Sequence, residues 1–431
     1  MRRIVRGAIL HFLSDPVADG AAAWRYWPDG ALIIENGKVV RAQDYAALAS
    51  GELAGATIDD FAGNLIVPGF VDCHIHSAQV DIIASYGAQL LDWLERYTFP
   101  AEMKFGDAAH AAEAAEFFLD ELLRNGITTA SVFATIHPQS VDAFFAAAQA
   151  RRMRMLAGKV MMDRNCPEGL RDDVAQGEVE ISALIERWHG KGRLGYSLTP
   201  RFAPTSSREQ LALAAQLYDE YPDLHLQTHL AENRDEVRWV GELFPEAGSY
   251  TDVYCRANLM VPRSVFAHCV HMSDADFAAM AAGGGAAAFC PTSNLFVGSG
   301  LFDLRRARAA GVKVGIGTDV GGGTSYSILH TLGEAYKVLQ LQRVSLAPLE
   351  AFHLATLGGA AALGLDRYIG NFETGKEADF VVLDPAATPV LARRTALASG
   401  IEDQLFALMI LGDDRAVRAT YVLGEPAYER D

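Results

Sequence analysis

Four histidines and one aspartate stand at the tail ends of separate apolar, strand-like runs: His74 and His76 in VDCHIH, His229 in LQTHLAE, His268 in VFAHC and Asp319 in VGIGTD. Successive side chains of a strand alternate faces, so His74 and His76, either side of Ile75, point the same way and can grip one ion together. The other strand ends can complete its shell. Imidazoles with a carboxylate suit zinc better than magnesium or calcium, and a set without Cys reads as an open catalytic site rather than a closed structural one. Taken singly, each residue has an ordinary explanation; a strand-end Asp often only caps the next helix. Their recurrence at one topological position, the C-terminal lip of a strand, is what points to a metal.

Zinc with an open coordination position brings the pKa of bound water to about 7 and so supplies hydroxide at neutral pH. Such a site needs a proton carrier. Glu232 follows His229 by three residues, where the strand gives way to the loop. Asp319 could ligate the metal or act as the base that orients and deprotonates water. His268 could bind the ion directly or hydrogen-bond the activated water. Spacing alone leaves both alternatives open.

The elements that must position these groups follow from the pattern of apolar residues. Strands are expected at Val71 to His76, Ile127 to Phe133, Met155 to Met161, Leu194 to Thr199, Leu224 to His229, Val265 to Cys269, Ala286 to Cys290 and Val312 to Thr318. Several alternate with segments of helical spacing, such as AEAAEFFLDELLRNG, REQLALAAQLYDEY and FDLRRARAAG. Eight alternating strands and helices imply an α/β protein with a (β/α)8 (TIM) barrel, whose site forms at the C-terminal face of the strands. Both ends of the chain differ from this rhythm: ALIIENGKVVRAQD is a hairpin around Asn36-Gly37, and ADFVVLDP and AVRATYVLGEPAY are further short strands. A small β-sandwich domain from residues 1–65 and 376–431 is therefore expected beside a catalytic barrel of 66–375. The run Gly321 to Gly323 lacks the Walker Lys and the GxGxxG spacing, so a flexible loop is expected there rather than a phosphate cradle.

With 431 residues, the chain is long enough for one large and one smaller domain. A net charge of -17 opposes general affinity for nucleic acid or anionic membranes, so the expected partner is a small, weakly charged substrate. The opening MRRIVRGAILHFLSD is broken by His11 and Asp15 and reads as a first strand rather than an export signal. The apolar stretch 277–289 is too short to span a bilayer. Five scattered Cys without a CxxC pair indicate buried thiols in a reducing cytoplasm.

The blocks PGFVDCHIHSAQ, LLDWLERYTFPAE, RFAPTSS, QTHLAENRDEV, AHCVHMS, CPTSNLFVGSGLFDL and GIGTDVGGGTSYSIL, in this order, resemble the amidohydrolase superfamily and, within it, the guanine deaminases. The resemblance runs from about Leu65 to Ile328, with an echo in GKEADFVVLD. It implies one zinc per subunit held by His74, His76, His229 and Asp319, with His268 against the bound water. It implies that Glu232 shuttles the proton as guanine and water become xanthine and ammonia in a cytoplasmic homodimer. Arg201 offers donors suited to the ring carbonyl, Gln79 offers a donor and an acceptor, and Phe202 and Trp93 are stacking surfaces. The block Leu90 to Glu102, after the first strand, suggests a lid. Three rival readings are weighed beside this one. A related barrel could deaminate another purine, a pterin or a triazine; a binuclear ureide hydrolase could use Lys159 as its bridge; an inactive barrel could serve as a scaffold, although its ligand set would then be expected to have decayed.

Overall fold

The computed structural model describes residues 2–87, 89–221 and 223–430. The chain forms two compact units, one of Met1–Val71, Asp120–Thr129 and Tyr326–Asp431, the other of Asp72–Leu119 and Ala130–Ser325.

All eight expected barrel strands are present: β1 (Phe70–His76), β2 (Ile127–Phe133), β3 (Arg154–Gly158, resumed by Val160–Met161), β4 (Gly195–Pro200), β5 (His225–Leu230), β6 (Ser264–His268), β7 (Ala286–Phe289) and β8 (Lys313–Ile316). They hydrogen-bond in chain order, β1 to β8. Successive pairs from β3 to β8 are parallel. β1, β2 and β4 are buried at every position, which is why they read as continuous apolar or small-residue runs rather than alternating ones. The ends of the sheet meet: the His76 N–H donates to the Val320 carbonyl and the Asp319 N–H to the His74 carbonyl, each at 2.9 Å. Asp72 ties the same seam, accepting from the N–H groups of His74 and Thr318 at 3.1 Å and from the Thr318 hydroxyl.

β3 is expected as one strand, yet it breaks at Lys159. Gly158 has the Ser197 carbonyl 1.9 Å from where a Cβ would stand, so the backbones approach too closely for a side chain. Lys159 Nζ, buried, pairs with Asp172 at 2.6 Å and Glu180 at 3.4 Å.

The helices begin where their caps stand. Ser207 accepts from the Gln210 N–H to open Arg208–Glu220, and Asp303 accepts from the Arg306 N–H to open Leu304–Ala309. No helix among the described residues is long and apolar enough to cross a membrane.

Strands from both termini form one continuous mixed sheet of seven, rather than two separate sheets, in the order Glu425–Glu429, Val417–Val422, Phe380–Leu383, Thr57–Pro68, Arg2–Phe12, Trp24–Glu35, Lys38–Asp44. Asn36 and Gly37 both take positive φ, 51° and 75°, as a two-residue type I′ hairpin requires. Alternation along these strands gives each face its own core. Val5, Leu32 and Ile34 join one cluster; Ile4, Ala31 and Ile33 join another.

Candidate active site

Every residue assigned to chemistry from the sequence lies in the second unit, and the barrel brings them together. His74 Nε2 and His76 Nε2 are each 3.2 Å from Asp319 Oδ1, and 3.3 Å from one another. His229 Nε2 lies 3.3 Å from His76 Nε2. His268 Nε2 stands 3.4 Å from Glu232 Oε2 and 3.8 Å from Asp319 Oδ2. The strand ends turn sharply here: Ala231, His268, Cys269 and Asp319 take φ of 51°, 72°, 49° and 52°. For residues with a Cβ that conformation costs roughly 1–2 kcal/mol each.

Electrostatics sort these groups by role. Burial drives the His74 imidazole down to about 4, and lowers His76 and, further, His229. Burial alone would raise Asp319, but His74 and His76 outweigh it and hold the carboxyl well below the usual range. Burial thus disfavours the protonated form of all three imidazoles, while their neighbourhood holds Asp319 toward the carboxylate. His229 Nδ1 lies 2.6 Å from the Arg201 carbonyl, which can only accept, so its ring proton sits on Nδ1 and Nε2 presents a lone pair. The ligand atoms converge to within 4.8 Å of one another, close enough to share one divalent cation. The donor set fits a metal, and it can be gathered as His74, His76 and His229 or as His74, His268 and Asp319.

His268 differs from the other imidazoles. Burial lowers it, but Glu232 and Asp319 outweigh that and raise it toward the cationic form. Its Nδ1 faces Asn294 Oδ1 at 2.8 Å, which leaves Nε2 directed at Glu232 and Asp319. Burial pushes the Glu232 carboxyl up to about 7. Ser299 donates to Glu232 Oε1 at 2.9 Å, and Glu236 accepts from the Glu232 and Asn233 N–H groups at 3.0 Å, so both the carboxylate and its turn are fixed.

A cavity opens over the cluster. Gln79, Trp93, Arg201, Phe202 and Glu232 line it together with His76, His229, His268 and Asp319. From the expected lid, Leu90, Trp93 and Leu94 form part of its wall; the segment is two short helical pieces, Leu90–Trp93 and Phe99–Met103, joined by a π-helical stretch, Leu94–Thr98.

Arg201 is partly engaged: its Nη1 donates to both oxygens of Glu102, at 2.9 and 2.7 Å. One expectation needs correction. The triple glycine is a packed turn rather than a loose loop. A Cβ at Gly321 would lie 2.7 Å from the Gln79 carbonyl oxygen, and one at Gly323 would lie 1.7 Å from that of Thr318. Gly323→Ala is accordingly expected to destabilise the fold by roughly 2–4 kcal/mol and to impair metal retention, as read by thermal unfolding and metal content.

Glu102, Asn294 and Ser299 have no role in the sequence reading. All three stand in blocks that carry the family resemblance, yet no local spacing marks them, because their partners are 99, 26 and 67 residues away. Lys159, the only candidate bridge for a binuclear site, is taken up by Asp172 and Glu180.

Comparison with known proteins agrees with this geometry. Residues 65–427 match the pattern of the amidohydrolase family. The guanine deaminase of Escherichia coli K12 is 50% identical over 431 residues, covering 100% of this chain and 98% of that protein. A solved structure of E. coli guanine deaminase, 49% identical, superimposes with a TM-score of 0.95 over 100% of both chains. A guanine deaminase from C. acetobutylicum with guanine bound in its active site is 28% identical, with a TM-score of 0.90 over 99% of this chain and 100% of that one. With the family pattern spanning most of its length, and the barrel, the buried His/Asp cluster and the adjoining carboxylate in place, the chain belongs to the amidohydrolase family and is similar throughout to that family's guanine deaminases.

Proposed function

We propose that this protein hydrolyses guanine to xanthine and ammonia at a single zinc ion held by His74, His76, His229 and Asp319. One observation carries the reading. One cavity has the imidazole cluster on its floor, the Glu232–His268 pair beside it, and the polar array of Arg201 and Gln79 in its wall. The whole-length similarity to guanine deaminases supports it. The bound zinc supplies an activated water and an electrophilic centre.

Glu232 takes a proton from water as its oxygen attacks the ring carbon bearing the exocyclic amine, and passes that proton to the adjacent ring nitrogen. The second water proton leaves on the amine, so xanthine and ammonia account for every atom and Glu232 ends the cycle as it began. Ser299 holds Oε1, which leaves Oε2, facing His268, as the oxygen that carries the mobile proton. His268, held toward its cationic form, donates from Nε2 to the oxygen that gains negative charge. The Arg201 hydrogens not used by Glu102 address the ring carbonyl, Gln79 the neighbouring edge, and Phe202 and Trp93 the flat faces. A buried donor left without its carbonyl is costly, which is why adenine is rejected.

The domain assignment, with 66–375 as the catalytic part, belongs to this proposal, as does a cytoplasmic homodimer. No disulfide joins any of the five cysteines, as a reducing compartment favours.

Ammonia release from a panel of purines, pterins and triazines tests the reading. Guanine is expected to exceed adenine in kcat/KM by at least about 100-fold. A zinc chelator is expected to abolish turnover, and zinc to restore it. Preference for a pterin or triazine over guanine would overturn the assignment.

A further inference from the structure

Glu102 does not line the cavity, yet it holds both residues to which the guanine edge is assigned above. Its carboxylate is buried, with 1% of the residue exposed, in the short helix Phe99–Met103. It accepts from Arg201 Nη1 at 2.9 and 2.7 Å and from Gln79 Nε2 at 3.2 Å. Gln79 is fixed from its other end too, since Oε1 accepts from the Gly321 N–H at 3.2 Å. A carboxylate only accepts and a backbone N–H only donates, so these two neighbours decide which end of the amide is which. Gly321 can approach only because it has no Cβ, which would fall 2.7 Å from the Gln79 carbonyl oxygen. Arg201 is further seated against the Phe99 ring, 5.5 Å from its centroid.

The donors that reach the cavity are therefore what remains once Glu102 has taken its share: the rest of the Arg201 fork and one hydrogen of the Gln79 amide. We infer that Glu102 is a specificity-determining positioning residue, which locks Arg201 and Gln79 into the one donor arrangement that reads the ring carbonyl, one ring nitrogen away from the reacting carbon. It also neutralises the guanidinium, so the wall presents directed hydrogen bonds rather than a loose positive charge that would bind any acceptor-rich ring. The inference rests on the reading of Arg201 and Gln79 as guanine contacts.

Glu102→Gln keeps the shape, but whichever way the amide sits its NH2 faces Arg201 Nη1, which donates to both carboxylate oxygens, so Arg201 must turn away. The KM for guanine is expected to rise at least about tenfold, as for loss of a charge-assisted hydrogen bond. The expected change in kcat is within about threefold, since Glu102 touches no reacting atom. Metal content is expected to stay at the wild-type level. The preference for guanine over 2-aminopurine, which has the same ring and amine without the carbonyl, is expected to fall at least about tenfold. In an Arg201→Gln background the same change is expected to add less than about twofold, because its effect runs through the arginine.

An unchanged KM and preference, or a full multiplicative loss in the Arg201→Gln background, would overturn the inference. If Glu102→Gln is not recovered with metal, Glu102→Asp, which keeps the charge on a shorter stem, is read the same way. A raised KM and reduced preference then support the inference, and wild-type values overturn it. Failure of the underlying reading looks different: the wild type would not turn over guanine, or Arg201→Gln would leave KM unchanged. Guanine turnover with a defective Arg201→Gln and a normal Glu102→Gln would sink this inference alone.

Discussion

Glu232→Gln is expected to retain its metal and lose turnover by about 10²- to 10⁴-fold, the range typical of a positioned acid–base group. The amide fills the same space and can still accept from Ser299 through its oxygen, so the cavity wall and the cluster beneath it stay in place. What disappears is the capacity to take a proton from water and return it. kcat is expected to carry the loss, with KM changed little, because the recognition array lies on other elements. The pH profile provides a second readout. Burial lifts the Glu232 carboxyl to about 7, and a bound cation pulls that value down again. On the proposed mechanism ionised Glu232 is the active form, so wild-type activity is expected to fall as the pH drops through the Glu232 pKa, and the glutamine variant is expected to lack this acid limb. Near-normal turnover in a metal-loaded variant would remove Glu232 from the mechanism.

His229→Ala is expected to lose the metal itself. Outer partners of metal ligands typically cost about 10- to 100-fold in affinity when removed, and deletion of a ligand exceeds that. His229 is also oriented from behind by the Arg201 carbonyl, so its lone pair is aimed before any ion arrives. Metal content after gel filtration is expected to drop to background and activity with it, whereas Glu232→Gln keeps a wild-type content. The pair of variants thus separates holding the ion from moving the proton. Stoichiometric metal in His229→Ala would mean that the ion is held by the other grouping, His74, His268 and Asp319.

Much of this is legible in the sequence. The eight barrel strands were visible because each is a run of apolar or small residues, and a parallel strand covered on both faces leaves that mark locally. The placement of His74 beside His76 followed from strand alternation alone. The hairpin at Asn36-Gly37 followed from residues that tolerate positive φ. The break at Lys159 was not visible, since it depends on Gly158 meeting the carbonyl of Ser197 on the next strand. The turn at Gly321 to Gly323 reads as flexible from composition, while its real cause is the crowding of Gln79 and Thr318, which only the closed sheet produces.

The sequence by itself determined which residues could bind a metal, on which strand ends they sit and which way the first pair points, because those are properties of a repeating backbone. Tertiary structure decided which groups are neutral and which charged, that His268 leans toward Glu232, and that Arg201 answers to a carboxylate 99 residues earlier in the chain. Those depend on burial and on distances across the barrel, and neither exists until the ends of the sheet have met.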